Sequence, residues 1–153
     1  MKHETSIYIV EDELLIAANL KDQLMRAGFV FLGMSTRGEE ALKEILLLKE
    51  QHKSPEIVLM DVCLRGEKDG IETAGLLCEI TDCAIIFLTG QSSREIYERS
   101  FHVKPYGYVL KPYDLEQTIM TIEIAAYQRK LAIENREMRI RLETLLDTNE
   151  YQK

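Results

Sequence analysis

Carboxylates, one hydroxyl and one lysine stand directly behind apolar runs at four places in this chain of 153 residues. Glu11-Asp12-Glu13 follows Ser6-Ile7-Tyr8-Ile9-Val10, and Asp61 follows Ile57-Val58-Leu59-Met60. Thr89-Gly90 follows Ala84-Ile85-Ile86-Phe87-Leu88, and Lys111-Pro112 follows Tyr108-Val109-Leu110. Clustered carboxylate oxygens suit a hard divalent cation such as Mg²⁺, and a lysine with a hydroxyl can hold a phosphoryl group. Each group also has a plainer use when taken alone. Asp12 could cap a helix beginning near Leu14, and Asp61 could be a satisfied strand-end carboxylate. Thr89 could be an ordinary strand-end residue, and Lys111 a solvated lysine in a turn. Four complementary groups at four strand ends are what point to chemistry.

The elements that must position these groups are legible. With 29–32, the apolar runs number five, spaced by about 25 residues, and most are continuously apolar as in strands covered on both faces. Helical patterns fall between them at 14–27, 39–49, 70–80 and 94–100. Strands alternating with helices predict β-α-β units, a parallel sheet and right-handed crossovers, hence helices on both faces. In such a doubly wound sheet, ligands bind beyond the carboxyl ends of the strands. That is the edge where the four groups lie.

Composition narrows the class. The formal net charge is −7, which argues against an unaided nucleic-acid binder, and 46% hydrophobic residues suffice for a core. No apolar run is long enough to span a membrane, and the start lacks a signal-peptide core. Cys63, Cys78 and Cys83 form no CxxC pair and are expected as reduced thiols. His3, His52 and His102 are scattered, expected to face solvent, and lack metal-ligand spacing. The expectation is an acidic cytoplasmic domain.

The last segment differs. All eight glycines and all three prolines fall at or before Pro112. Residues 113–153 therefore read as one helix of about 60 Å, longer than a sheet needs. Within it Ile124, Leu131, Met138 and Leu145 recur every seven residues. Taken as d positions they put Gln128, Asn135 and Leu142 at a, a pattern suited to a parallel two-stranded coil. Glu134, Arg136, Glu137, Arg139, Arg141 and Glu143 would then flank the seam. A solvated single helix is the plainer alternative, and Ile133 and Ile140 sit off the seam.

Glu11-Asp12, Asp61, Thr89 and Lys111-Pro112, in this order and spacing, resemble the receiver domain of two-component response regulators. Asp61-Val62-Cys63-Leu64-Arg65-Gly66-Glu67-Lys68-Asp69-Gly70-Ile71-Glu72 is similar to the family's loop and third-helix start after the acceptor aspartate, and Gly107-Tyr108-Val109-Leu110-Lys111-Pro112 to its fifth strand and turn. The resemblance covers roughly residues 5–127. It implies a flavodoxin-like five-stranded parallel sheet in the order 2-1-3-4-5. The expected division is a receiver over 1–127 and, outside the resemblance, an extended helix over 128–153.

It also implies a mechanism. Asp61 would accept a phosphoryl group from a histidine kinase or phosphotransfer protein. Asp12, Asp61 and the main-chain carbonyl of Cys63 would hold Mg²⁺ or Mn²⁺, with Glu11 acting through water. Lys111 would pair with Asp61 and then with a phosphoryl oxygen. Thr89 would move to the phosphoryl group, and Tyr108 would swing inward. Lys111-Pro112 is expected to be cis, which would aim the lysine into the site. Such a domain is a signalling switch rather than a turnover enzyme, with readout and homodimer contacts on the fourth-helix and fifth-strand face. Four positions depart from the pattern. Arg65 stands where proline is frequent, which predicts a looser loop, and the stretch 66–69 has one residue more than the commonest spacing. Gly90 replaces the usual alanine or serine, and Cys63 is uncommon two residues after the acceptor.

Two other classes compete. A haloacid-dehalogenase-type phosphatase wants a second acid two residues after its nucleophile, where Cys63 stands, and leaves Glu11-Asp12 unexplained. A flavin-binding module needs a glycine-rich phosphate loop after the first strand, where Glu-Asp-Glu would repel phosphate. A receiver cut from a larger hybrid sensor kinase is a further possibility.

Overall fold

The computed structural model describes residues 4–90 and 94–151. The elements alternate as β1 (Ser6–Val10), α1 (Leu14–Arg26), β2 (Val30–Ser35), α2 (Gly38–Glu50), β3 (Ile57–Asp61), α3 (Gly70–Ile80), β4 (Ala84–Thr89), α4 (Arg94–Ser100), a 3₁₀ turn (Phe101–Val103), β5 (Gly107–Leu110) and α5 (Leu115–Tyr151). All four strand pairings are parallel, in the order β2-β1-β3-β4-β5. The sheet is the doubly wound, flavodoxin-like arrangement expected from the sequence.

The period-2 alternation of the strands splits the core in two. Tyr8, Val10, Val58, Met60, Ile85 and Phe87 face α2 and α3, where they meet Ala41, Ile45, Ala74 and Leu77. Ile7, Ile9, Ile57, Leu59, Ile86 and Leu88 face α1 and α5, where they meet Ala17, Leu20, Leu24, Ile122 and Ala125. Both faces of β1, β3 and β4 are thus removed from water, which explains their uninterrupted apolar runs.

One boundary moves. β2 runs to Ser35 rather than stopping at Leu32. The register slips between Ile7 and Tyr8, so Tyr8 pairs with Gly33 and Leu32 is skipped. Gly33 marks a close approach rather than a strand end: an added Cβ would lie 2.8 Å from the Tyr8 ring.

The tail is helical as expected, and α5 is 37 residues, about 55 Å, long. One side of its first turns is buried, as far as Ala125. Beyond them two arginines brace it to the start of β4. Arg129 Nε donates to the Asp82 carbonyl at 2.7 Å, and Arg136 donates to Asp82 Oδ1 and Oδ2 at 3.0 and 2.9 Å. Arg136, expected beside a coil seam, lies instead against its own domain. Ile124, Leu131, Met138, Leu142 and Leu145 are exposed. His52 and His102 face solvent, while His3 and the last two residues of the expected helix lie outside the described residues. No helix among the described residues is long and apolar enough to cross a membrane.

Candidate functional site

β1 and β3 are neighbours, and their carboxyl ends bring Glu11, Asp12 and Asp61 together although 50 residues separate the pairs in sequence. One carboxylate oxygen from each lies within 4.8 Å of the others. Glu11 and Asp61 are buried and Asp12 is half-buried. Asp12 does not cap α1: Glu13 is the N-cap residue, without a side-chain cap.

Lys111, just past β5, reaches this cluster. Its Nζ lies 3.1 Å from Asp61 Oδ2 and 3.0 Å from Glu11 Oε2. The lysine therefore bridges two carboxylates, where the sequence suggested Asp61 alone. Lys111 N donates to the Thr89 carbonyl at 2.8 Å, and the Lys111–Pro112 peptide is cis, as expected. Tyr113 is a member of the cluster that the sequence did not reveal. Its hydroxyl donates to Glu11 Oε2 at 3.0 Å. An aromatic two residues after a strand-end lysine looks like a core residue, and nothing in its spacing signals a polar task.

Electrostatics follow from this packing. Burial, and after it the charge of Glu11, pushes the Asp61 carboxyl up to about 7, while the Cys63 amide and Lys111 pull it back. Burial lowers the Lys111 ammonium, but the bond to Glu11 and the charge of Asp61 outweigh it, so the lysine ends above its ordinary value. Burial and Glu11 raise the Tyr113 phenol, keeping it a donor. Three clustered carboxylates with one bridging lysine form an oxygen donor set that fits a hard divalent cation.

The loop after β3 is held at several points. Cys63 N donates to Asp61 Oδ1 at 3.0 Å, while the Cys63 side chain is exposed. Leu64 joins the core. Gly66 takes a positive φ of 115°, and Lys68 N donates to Glu39 Oε1 at 3.0 Å. Asp69 caps α3 through Glu72 N at 2.9 Å and receives Arg99 of α4 at 2.7 Å.

Thr89 is buried at the end of β4, opposite Leu110 in register. Gly90 is exposed, and an added Cβ would meet nothing within 4 Å among the described residues. Tyr108 is half-buried, its ring 5.9 Å from both Phe87 and Tyr97 and its hydroxyl bonded to Ser100 Oγ. The structure thus gathers Glu11, Asp12, Asp61 and Lys111 directly, sets Thr89 on the same sheet edge, and ties Tyr108 to α4.

The response regulator receiver domain model matches residues 7–123, from β1 into α5. The chain belongs to this family. The receiver is 34% identical over 119 residues to the transcriptional regulatory protein PdtaR of Mycobacterium tuberculosis, covering 78% of this chain and 55% of that protein. It is 30% identical over 132 residues to the sensory transduction protein LytT of Bacillus cereus, covering 85% of this chain and 50% of the relative. The chain therefore spans about half the length of these relatives. Among solved structures, the signal receiver domain of a modulated diguanylate cyclase from Desulfovibrio desulfuricans G20 is 35% identical, with a TM-score of 0.76 over 85% of this chain and 99% of that one. This is a receiver domain of two-component signalling, a class of signalling domains that interact with histidine kinases or phosphotransfer proteins. Receiver domains generally bind Mg²⁺ at an acidic cluster, and Glu11, Asp12 and Asp61 provide one here.

Proposed function

We propose that this receiver is a phosphoacceptor switch, with Asp61 as the acceptor of a phosphoryl group from the phosphohistidine of a kinase or phosphotransfer protein. The observation that carries the reading is the buried Asp61 carboxylate at the end of β3, flanked by the Glu11–Asp12 pair and bonded to Lys111. An Asp61 carboxylate oxygen attacks phosphorus, forming the P–O bond of an acyl phosphate as the P–N bond breaks. The electron pair of that bond stays on the imidazole nitrogen of the donor.

Asp12, Asp61 and the Cys63 carbonyl would hold Mg²⁺ or Mn²⁺, and Glu11 would support it through water. When bound, the ion supplies positive charge that offsets carboxylate repulsion and the charge on the transferred oxygens. Lys111 orients Asp61 beforehand and pairs with a phosphoryl oxygen afterwards. Tyr113 and Lys111 hold the Glu11 side chain in place. Thr89 hydrogen-bonds the phosphoryl group, and the coupled movement of Tyr108 alters the α4–β5 face. We place the receiver at 1–127 and the appended helix at 128–153, and read the exposed stripe of Ile124, Leu131, Met138 and Leu145 as a parallel homodimer seam.

The test is acetyl phosphate with Mg²⁺, read by intact mass. The parent should gain one phosphoryl group and Asp61→Asn none; a label surviving in Asp61→Asn refutes the assignment. Sedimentation equilibrium of the full chain at several concentrations tests the seam, and a monomer throughout would leave α5 a plain linker helix.

A further inference from the structure

Arg65 stands four positions beyond Asp61, and its guanidinium reaches back to Asp12. Its Nε lies 3.5 Å from Asp12 Oδ2 while 88% of the Arg65 side chain stays exposed. The other two carboxylates are engaged from inside, Glu11 by Lys111 and Tyr113 and Asp61 by Lys111 and the Cys63 amide. Asp12 is paired from outside, by Arg65.

We propose that Arg65 is a resident counter-cation of Asp12 that competes with the divalent ion for this carboxylate, and so sets the Mg²⁺ concentration at which the receiver becomes competent. The inference rests on the phosphoacceptor reading above. Three carboxylates against Lys111 and Arg65 leave one net negative charge. With Arg65 displaced they leave two, which a dication balances. The backbone around Arg65 is held, with Leu64 in the core on one side and Lys68 N on Glu39 on the other. Release therefore needs only a change of rotamer by an exposed side chain. An exposed ion pair is weak, so the barrier it sets is modest and salt-dependent.

The experiment is calorimetric titration of Mg²⁺ into the full chain at low ionic strength, for the parent, Arg65→Gln, Arg65→Lys and Asp12→Asn. Arg65→Gln should bind Mg²⁺ about two- to fivefold more tightly than the parent, with Arg65→Lys between them. The advantage should shrink as NaCl is raised. Equal or weaker binding by Arg65→Gln, with the parent binding normally, overturns the role of Arg65 alone. No Mg²⁺ binding by the parent or by Arg65→Gln overturns the phosphoacceptor reading with it. Because Arg65 is exposed, all three of its forms should melt together, and the readout is heat of binding rather than phosphorylation.

Discussion

Replacing Gly70 by alanine tests whether the start of α3 and the strand carrying Asp61 are locked together. An alanine Cβ at this position would lie 1.9 Å from the Asp61 carbonyl oxygen, 2.8 Å from its carbonyl carbon and 3.0 Å from Val62 Cα. All three are main-chain atoms, so no side chain can turn aside. Gly70 N also donates to the Val62 carbonyl at 3.1 Å, which holds the helix against the strand end. Reaching ordinary contact requires a shift of about 1.5 Å in α3 or in the backbone carrying Asp61, and overpacking of this kind costs about 1–3 kcal/mol. At a central value of about 2 kcal/mol, the melting temperature should fall by roughly 4–8 °C for a chain of this size. Gly90→Ala is the matched control, because its Cβ meets nothing within 4 Å among the described residues. It should be neutral or stabilise by up to about 1 kcal/mol through the unfolded chain. Thermal and urea melts read the stability, and protection by beryllofluoride with Mg²⁺ reads the proposed acceptor Asp61. Gly70→Ala should lose both stability and part of that protection. A Gly70→Ala protein that melts with the parent and responds fully refutes the close contact and its coupling to Asp61.

Two further outcomes follow from particular bonds. The Arg136 hydrogen bonds hold the Asp82 carboxyl below the usual carboxylate range. The pair is exposed, so Arg136→Ala should lower stability only slightly despite bidentate geometry. Because the folded value is depressed, this contribution is complete above the unfolded value of about 3.9 and fades as pH falls through the folded one. Urea melts should therefore separate the parent from Asp82→Asn at pH 7 and bring them together in acid; a constant gap would refute the pairing. Tyr113→Phe removes a donor from the buried Glu11 carboxylate and should cost about 1–3 kcal/mol. Unchanged urea stability in that variant would mean that Glu11 does not depend on the tyrosine.

What the sequence reveals and what it hides divide by range. Runs buried on both faces identify β1, β3 and β4 because their signal is local and uninterrupted. The end of β2 is hidden because Gly33 reads as a breaker, whereas it serves the ring of Tyr8 from the adjacent strand. The acidic pair, Asp61 and Lys111 are legible because each terminates an apolar run. Which of the consecutive acids turns inward is not, and Glu11 proves to be the buried one, engaged by Lys111 and Tyr113. Arg65 and Asp12 meet across a gap that no local pattern spans, and the surface position of Arg65 leaves no trace in hydrophobic periodicity. The same holds for Arg136. Its spacing from Arg129 suits a coil flank as well as an intradomain brace, and only the placement of Asp82 decides between them.

That brace and the proposed seam fall on different sides of one helix. At about 100° per residue, Arg129, Ile133 and Arg136 project within about 60° of one another, and Ile122 and Ala125 widen this arc only to about 80°. Ile122 and Ala125 are buried in the core, which fixes this side as the one facing the receiver. Ile124, Leu131, Met138 and Leu145 project roughly 140–200° away from Arg129 on the same wheel, and all four are exposed. Met120 and Tyr127, also exposed, continue that stripe toward the sheet. A second copy can therefore pack along the stripe without breaking a bond to Asp82. The rotation of each receiver about the shared axis would then be set by Arg129 and Arg136 rather than left to a flexible joint. Change at the α4–β5 face would be delivered to a rod whose phase relative to Asp61 is already defined.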